Sequence, residues 1–308
     1  MNIELFLGVD GGQSSTTALV ADASGRVLGR GNDGPCNHVQ SAAEGREKFI
    51  RVIGGCVRAA CGGEIPAFRA ACLGFSGGPA DKEQILREIL QVESLSVTTD
   101  ARIALTGATA GGPGIITVAG TGSISFGRDA SGRTVRAGGW GYAFGDEGGG
   151  YDIARKALRA VLKQHEGWGP STTLHEKMLA ATGASDANQM LHMFYTAEWP
   201  RKRIATLAKL VDTEAEAGDE IAIAILDQTA EALAMFTNAV RQQLDDPRQV
   251  SPIGSVWRSR ILTTSFQRRM QDFPFVAPLF GPAAGALLEA FALANRNVTL
   301  TNLPESEK

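Results

Sequence analysis

Cysteines are few, and none is arranged to bind a metal. The four cysteines, Cys36, Cys56, Cys61 and Cys72, all lie in the first quarter of the 308 residues. They form no Cys-x-x-Cys pair and have no zinc-site spacing with the four histidines. This pattern argues against a zinc module and against a disulfide scaffold. It favours a reducing environment, and we expect a cytoplasmic protein.

Signals for membrane insertion and nucleic-acid binding are also missing. The sequence has no charged leader followed by an apolar run, and no apolar segment long enough to span a bilayer. The net charge is −3 and no basic domain or stripe is present. The one basic run, at residues 201–203, is interpreted as a solvated helix face. We therefore expect no membrane and no nucleic-acid partner.

Glycine, in contrast, is abundant, at 37 of 308 residues. In the segment 138–150, seven of the thirteen residues are glycine, yet three aromatic residues and two adjacent acids lie among them. A flexible linker rarely has that composition. The following residues, 151–164, predict a helix, whose N-terminus would favour anions. We interpret the segment as a ligand-binding loop.

A three-stranded meander is predicted twice, about a hundred residues apart. Its strands are predicted at 3–9, 16–21 and 27–31, and again at 114–119, 124–128 and 134–137. Further strands are predicted at 69–75, at 95–99 and up to 252–254. Helices are predicted at 44–60, 82–91, 101–109, 151–164, 173–181, 187–197, 204–217, 220–244, 257–269 and 282–294. The pattern indicates an internal duplication, and we expect the tail from Asn297 to fray.

The first turn of each meander carries groups that can bind phosphate. In the first meander these are Asp10, Gly11, Gly12 and Ser14; in the second they are Gly120, Thr121, Gly122 and Ser123. Backbone N–H groups and hydroxyls in such turns hold phosphate oxygens, and Asp10 could bind Mg²⁺ through a water. A P-loop is absent, because no Gly-x-x-x-x-Gly-Lys-Ser/Thr segment occurs. A third turn, at Gly254 and Ser255, suits a nucleoside or phosphate.

Together these turns resemble the actin, hexokinase and Hsp70 ATPase superfamily. Within it the sequence resembles the BadF/BadG/BcrA/BcrD ATPase family, and its N-acetylglucosamine kinase branch. The matching segments, in the family's order, are 36–38, 76–78, 98–100, 120–123, 138–148 and 254–257. The resemblance implies a two-lobed α/β fold of the actin-like, ribonuclease H-like type. The lobes would be 1–110 and 111–308 with a ligand cleft between them, and the helix 282–294 would pack back on the first.

The resemblance also implies an activity, namely ATP- and Mg²⁺-dependent phosphorylation of an amino sugar, with N-acetylglucosamine as the first candidate. Asp100 matches the catalytic base, and it could also cap the helix 101–109. The implied sugar contacts are Asn37, Ser76, Gly77, Gly139, Trp140, Gly141 and Asp146. The implied ATP contacts are Asp10, Gly11, Gly12, Ser14, Thr121, Gly122, Ser123, Ala205, Gly254 and Ser255. The family further implies a homodimer.

Three alternatives stay open at this point. The sugar could be glucosamine or N-acetylmuramic acid. The chain could be an activator ATPase of an iron–sulfur dehydratase, although no cysteine lies in the phosphate turns or the late loops. It could be a non-catalytic sugar sensor, although such proteins carry a helix-turn-helix and this sequence starts with the strand at 3–9.

Overall fold

The computed structural model describes residues 3–12, 15–36, 42–77 and 82–308. The chain divides into two compact units. The first unit is Met1–Pro113 together with Ala277–Lys308, and the second unit is Gly114–Val276. The first unit therefore receives the C-terminal segment, which lies at the far end of the sequence.

A five-stranded sheet with the strand order β3-β2-β1-β4-β5 forms the centre of the first unit. Its strands are β1 (Leu5–Gly11), β2 (Thr16–Asp22), β3 (Val27–Asp33), β4 (Phe68–Phe75) and β5 (Val92–Thr99). Strands β1, β4 and β5 are parallel, whereas β2 and β3 complete the antiparallel meander. The helices are α1 (Ala42–Cys61), α2 (Lys82–Ile89), α3 (Asp100–Thr109) and, from the C-terminal segment, α11 (Pro282–Leu293).

Helix α11 packs directly against β1 and α3, and glycines make this close approach possible. A Cβ atom on Gly8 would overlap the backbone nitrogen of Leu287. A Cβ atom on Gly285 would overlap the carbonyl oxygen of Ile103. The helix that the sequence assigns to the second lobe, with a return to the first, thus lies within the first unit.

The C-terminal tail is ordered, so the expectation that it frays from Asn297 is wrong. Thr301 forms a bridge to Arg26 and accepts a backbone hydrogen bond from Val27 at 3.0 Å. Glu307 is buried, and its Oε2 accepts from the backbone N–H of Ala284 at 3.0 Å. Because α11 has no side-chain cap of its own, this carboxylate from the chain end supplies the missing acceptor at its first turn.

The second unit repeats the arrangement with a four-stranded sheet of order β8-β7-β6-β9. Its strands are β6 (Gly114–Ala119), β7 (Ser123–Arg128), β8 (Thr134–Gly138) and β9 (Val250–Ile253). Strand β9 is parallel to β6, as β4 is to β1. The predicted duplication of the meander is therefore confirmed, and each copy gains a parallel strand beside its first strand.

Helices make up most of the rest of the second unit. They are α4 (Gly150–His165), α5 (Leu174–Thr182), α6 (Ala187–Met193), α7 (Arg201–Ala205), α8 (Ala208–Glu216), α9 (Glu220–Arg241) and α10 (Arg260–Arg269). A short 3-10 turn at Ser255–Arg258 replaces the predicted first turn of α10. Of the helices in the described ranges, none combines the length and the apolar character that crossing a membrane requires.

The prediction of a single helix over 204–217 is wrong, because the helix is interrupted between α7 and α8. The N–H groups of Thr206 and Leu207 bond to carbonyls three residues back, at 3.1 and 3.0 Å, instead of four. The Thr206 hydroxyl also donates to the carbonyl of Arg203 at 2.6 Å. A threonine hydroxyl that bonds to the local backbone competes with the helical pattern, and the helix tightens and stops there.

Candidate active site

Three polar side chains gather where the parallel strands of the first unit end. Gly11, Phe75 and Thr99 are register partners across β1, β4 and β5, so these strands end side by side. Asp10 and Asp100 flank this row in the sequence, and Ser76 follows β4 directly. The carboxyl edge of parallel strands is where α/β proteins bind ligands.

Asp100 is the first residue of α3 rather than its cap. The cap is Thr99, whose hydroxyl oxygen accepts from the backbone N–H of Arg102 at 3.3 Å. Oδ1 of Asp100 accepts from the N–H of Ala101 at 2.8 Å. Desolvation by surrounding protein raises the pKa of Asp100, whereas hydrogen bonds from the backbone and from Ser76 work in the opposite direction. The side chain is nevertheless exposed and is a stronger base than an ordinary aspartate.

Asp10 has the most perturbed environment at this edge. Burial first, and then the charges of Asp100 and Glu307, raise the pKa of Asp10 to about 7. The described residues contain no cluster of three or more acidic, histidine or cysteine side chains that could hold a metal by itself. A nearby cation would stabilise the ionised form of Asp10, and it would also reduce the repulsion between Asp10 and Asp100.

The glycine turn after β1 has little spare room. A Cβ atom on Gly11 would overlap the ring of Phe75. The N–H of Gly12 donates to the carbonyl of Ser15 at 2.9 Å, which closes the hairpin. Gly77 has a φ of +84° in open space. The predicted contacts Ser14 and Asn37 lie outside the described residues.

The corresponding edge of the second unit is lined by backbone instead of acids. Gly254, which follows β9, has a φ of +108°, and a Cβ atom there would overlap the carbonyl oxygen of Ala119. The indole Nε1 of Trp257 donates to the carbonyl of Thr117 at 2.9 Å. The turn after β9 is thus held tightly against the turn after β6, so Thr121 and Ser255 lie on one side of this sheet edge.

The start of α4 is fastened to the turn after β6. The N–H of Gly150 donates to the carbonyl of Gly120 at 2.7 Å, and the N–H of Tyr151 donates to that of Thr121 at 3.1 Å. Asp152 accepts from the N–H of Gly148 at 3.2 Å. Because these partners occupy its first N–H groups, the helix end supports the turn and is not an open anion site.

The hydroxyl of Ser123, at the end of the same turn, bonds within the protein. Its side chain is 4% exposed, and the hydroxyl donates to the carbonyl of Glu147 at 2.6 Å. The N–H of Gly139 donates to the Ser123 carbonyl at 3.0 Å. Its one hydroxyl proton is thus used within the protein. Its predicted contact with ATP stays a prediction, which would have to rest on its backbone.

The 138–150 loop begins and ends on the turn after β6. Asp146 has a φ of +63°, and its carboxylate lies over Gly122, where a Cβ atom would be 2.5 Å from Oδ2. Desolvation raises the pKa of Asp146, against hydrogen bonds from the backbone of Ser123 and Gly141. The loop is therefore anchored through Asp146, a residue for which the sequence predicts a sugar contact.

All three aromatic side chains of this loop are exposed, Trp140 and Phe144 more than Tyr142. Trp140 is 67% exposed and Phe144 is 89% exposed. Arg136 lies 4.7 Å from the Trp140 ring centroid, which supports one face of the indole. Large exposed aromatic groups next to glycines mark a surface that can bind a ligand.

A pocket of about 490 Å³ lies within the second unit, beside the turn after β6. Its volume falls in the usual range for small-molecule sites, roughly 300–1,000 Å³. Thr121, Ala205 and Ser255, three of the predicted ATP contacts, lie together in its wall. Its other lining residues include apolar and charged side chains: Ile153, Lys202, Lys209, Asp212, Leu226, Val256 and Arg258.

The charged lining residues were not found from the sequence. Lys202 belongs to the basic run 201–203, which is exposed as predicted but has specific neighbours. Arg201 lies 4.2 Å from the Tyr142 ring centroid, and Arg203 lies 3.9 Å from that of Trp199. Arg201 and Arg203 thus pack on aromatic rings, and Lys202 between them lines the pocket. The only signal in the sequence is the run of three basic residues itself.

The comparisons with known proteins agree on one family. The model of the BadF/BadG/BcrA/BcrD ATPase family matches residues 7–290. An N-acetylmuramic acid/N-acetylglucosamine kinase of Clostridium acetobutylicum is 32% identical over 247 residues, covering 79% of this chain and 81% of the relative. An N-acetyl-D-glucosamine kinase of Dictyostelium discoideum is 31% identical, covering 94% and 98%. A solved structure from Chromobacterium violaceum, provisionally named an N-acetylglucosamine kinase, has 28% identity and a TM-score of 0.76, covering 93% and 98%.

Proposed function

Because the chain belongs to the BadF/BadG/BcrA/BcrD ATPase family, we propose that it is an ATP-dependent amino-sugar kinase. It transfers the γ-phosphoryl group of ATP to the 6-hydroxyl of an amino sugar, with N-acetylglucosamine as the first candidate. The observation that carries the proposal is the position of Asp100 beside Ser76 and Asp10 at the carboxyl edge of the first sheet. The names of the curated relatives support the substrate class.

In this proposal Asp100 accepts the proton of the sugar hydroxyl as that oxygen attacks the γ-phosphorus. Burial raises the pKa of Asp100, which makes its carboxylate a stronger base. Ser76, hydrogen-bonded to Asp100, helps to orient the carboxylate. Phosphoryl transfer needs little covalent chemistry from the protein, so positioning and charge carry most of the effect.

ATP occupies the pocket of the second unit. Its phosphates are held by backbone N–H groups and the hydroxyl of Thr121, and its adenosine lies along Ala205, Gly254 and Ser255. The apolar lining suits a purine, and Lys202 adds positive charge to the wall. In the first unit, Gly11 and Gly12 of the hairpin stay predicted phosphate contacts.

Asp10 suits a Mg²⁺ ion that is held by one carboxylate, waters and phosphates, and not one held by protein ligands alone. Mg²⁺ usually keeps several waters and binds one or two carboxylates together with substrate phosphates. Asp10 supplies one carboxylate, whose charge a cation would stabilise against the nearby Asp100. When bound, the ion would neutralise charge on the phosphates.

In the second unit, the 138–150 loop supplies the sugar contacts. Trp140 offers its indole face to the apolar face of the pyranose, and the backbone of Gly139 and Gly141 approaches the hydroxyls. Asp146 offers its carboxylate to the sugar hydroxyls. In the first unit, Asn37, Ser76 and Gly77 are the predicted sugar contacts.

Glucosamine and N-acetylmuramic acid remain candidate substrates. They differ from N-acetylglucosamine at the 2 and 3 positions. One apolar pocket or one charged side chain near those positions would determine which of the three sugars binds. A coupled ADP-release assay over hexoses and amino sugars tests the proposal. We expect turnover with at least one amino sugar; ADP release that no sugar stimulates would contradict it.

An activator of an iron–sulfur dehydratase is a weaker candidate. Cys36, Cys56 and Cys72 are buried and Cys61 is half-buried, and burial raises the pKa of each thiol, for Cys72 to about 12. Such thiols are poor cluster ligands. Stoichiometric iron in the purified protein would favour the activator, and sugar binding without turnover would favour a sensor.

A cytoplasmic homodimer completes the proposal. The reducing environment is inferred from the cysteines, which are free thiols in the structure. The dimer is inferred from the family resemblance alone. Light scattering of the purified protein tests it, and a mass near 32.4 kDa would show a monomer instead.

A further inference from the structure

The first residue of α7, Arg201, contacts the 138–150 loop from outside. Its guanidinium carbon lies 4.2 Å from the centroid of the Tyr142 ring. That ring meets the ring of Tyr151, on α4, edge-on at a centroid distance of 5.8 Å. Tyr142 is 45% exposed, so its position depends on these two neighbours more than on burial. Arg201 therefore helps to fix the tip of the loop.

The loop needs such contacts, because its backbone is permissive. Gly139 has a φ of +72° and Gly141 a φ of +82°, and a Cβ atom on Gly141 would meet nothing within 4 Å. Glycine adopts these conformations readily, but it adopts many others as well. Contacts made by side chains outside the loop thus help to determine where its ligand-binding groups lie.

Arg201 is carried by a well-packed segment. Trp199 and Ile204, on either side of it in the sequence, are each 5% exposed. The N–H of Arg203 donates to the carbonyl of Pro200 at 2.8 Å and closes the first turn of α7. The backbone that carries the Arg201 side chain is therefore more firmly held than the glycine loop that it contacts.

The charge of Arg201 also reaches Asp146 of the same loop. Desolvation raises the pKa of Asp146, and the charge of Glu147 raises it further, whereas hydrogen bonds from the backbone of Ser123 and Gly141 and the charge of Arg201 lower it. An ionised carboxylate accepts hydrogen bonds with both oxygens. Arg201 thus favours the form of Asp146 that suits sugar hydroxyls.

We infer that Arg201 is a positioning residue for the sugar site: its guanidinium packs on Tyr142 and holds the 138–150 loop, with Asp146, in the conformation that binds the sugar. The inference rests on the proposed function, in which this loop contacts an amino sugar. Neither the predicted sugar contacts nor the names of the relatives assign a role to Arg201. The basic run 201–203 is therefore more than a solvated helix face.

Steady-state kinetics of the full-length protein test the inference, with N-acetylglucosamine or the amino sugar that wild type turns over fastest. The variants are Arg201→Gln, Arg201→Lys and the control Arg203→Gln. Arg203 lies on the same helix and also packs on an aromatic ring, that of Trp199 at 3.9 Å, outside the loop. Thermal unfolding of each variant checks that it folds.

In Arg201→Gln, we expect the KM for the sugar to rise roughly 3- to 30-fold, because the contact with Tyr142 and the charge near Asp146 are both lost. The kcat should stay within about threefold and the KM for ATP within about twofold, since binding of the sugar alone is weakened. Arg203→Gln should resemble wild type in all three constants.

Calorimetric titration of the sugar at several pH values, without nucleotide, separates the two contributions. As pH falls, Arg201→Gln should lose sugar binding at a higher pH than wild type, because nothing replaces the charge that lowers the pKa of Asp146. Arg201→Lys keeps the charge and loses the planar guanidinium. It should keep the wild-type pH dependence and regain only part of the affinity.

Three outcomes would overturn the inference. One is a sugar KM in Arg201→Gln that does not exceed that of Arg203→Gln. Another is a KM for ATP that rises as much as that for the sugar, which would assign Arg201 to the nucleotide site. The third is an unchanged pH dependence of sugar binding in Arg201→Gln. A wild-type protein that phosphorylates no sugar would instead contradict the proposed kinase, and this is recognised before any variant is compared.

Discussion

The two units carry the same strand pattern and put different chemistry at the same edge. In the first unit, the edge where β1, β4 and β5 end bears Asp10, Ser76 and Asp100. In the second, the edge where β6 and β9 end bears glycine turns and a pocket. The duplicated topology supplies the same location twice, and the residues at the strand ends decide what each location can do.

The electrostatics of the two edges differ accordingly. At the first edge, burial raises the pKa values of Asp10 and Asp100, and the charge of Asp100 raises that of Asp10 further, which suits a base and a cation. At the second, backbone groups and lysines favour a polyanion. A kinase needs both, since one partner must lose a proton and the other must be held by its phosphates.

The largest effect is expected at the acidic edge. Asp100→Asn should lower turnover by roughly 10²–10⁴-fold, because the base is lost, while ATP affinity changes little. Steady-state kinetics and calorimetry measure the two quantities. Glu93→Gln, an exposed carboxylate on β5, the strand that precedes Asp100, is the control. Unchanged turnover in Asp100→Asn would remove the catalytic distinction between the edges.

Asp10 should make stability depend on pH. With its folded pKa raised to about 7, its contribution to stability is complete below the unfolded pKa near 3.8 and is lost as pH rises to about 7. Between about pH 4 and pH 8, Asp10→Asn should therefore gain roughly 2–4 kcal/mol relative to wild type.

Urea unfolding without ligands measures this gain. The exposed Glu47→Gln on α1 serves as the control and should show no such trend. A wild-type-to-variant difference that stays constant over this pH range would show that Asp10 is not electrostatically strained.

Near the second edge, the carboxylate of Asp152 stabilises the start of α4. Asp152 pairs with Arg155 at 2.9 Å and Lys156 at 3.0 Å and accepts from Gly148. Burial opposes its ionisation, but these partners outweigh it and lower the pKa of Asp152. Asp152→Asn should cost roughly 1.5–3 kcal/mol at neutral pH.

Because the folded pKa is lowered, this contribution is present above about pH 4 and is lost as pH falls further. Urea unfolding at several pH values measures it. The matched control is Asp246→Asn, whose ion pair with Arg248 is exposed. Equal losses in the two variants would mean that Asp152 has no special role in holding the start of α4.

The smallest expected effect tests the backbone of the second edge. Gly254→Ala combines a positive φ with an overlap against Ala119, whereas Gly132→Ala has a φ of +86° and nothing within 4 Å. Gly254→Ala should lose roughly 1–2 kcal/mol more stability than Gly132→Ala and should weaken ATP binding. Unfolding and calorimetry measure both; equal losses would show that the close approach is unimportant.

Sequence reasoning reached the family, the duplicated meanders and the positions of the strand ends. It placed Asp100 after a strand and Thr121 and Ser255 in turns, because such patterns are local. The family assignment is confirmed by the match over residues 7–290. The roles of Asp100, Trp140 and the other site residues remain predictions.

Other features depend on contacts between distant segments. The use of the Ser123 hydroxyl by the carbonyl of Glu147 and the ordering of the tail through Thr301 have no local signature. The same holds for Glu307, whose charge reaches Asp10 from the far end of the chain.

By itself, then, the sequence determined the repeated strand pattern and the chemical groups at each strand end, since periodicity and turn composition act over a few residues. Only the tertiary structure decided which of those carboxyl groups have raised pKa values and which hydroxyls are already bonded within the protein. Burial and hydrogen bonding are properties of the packed chain, and local sequence patterns do not contain them.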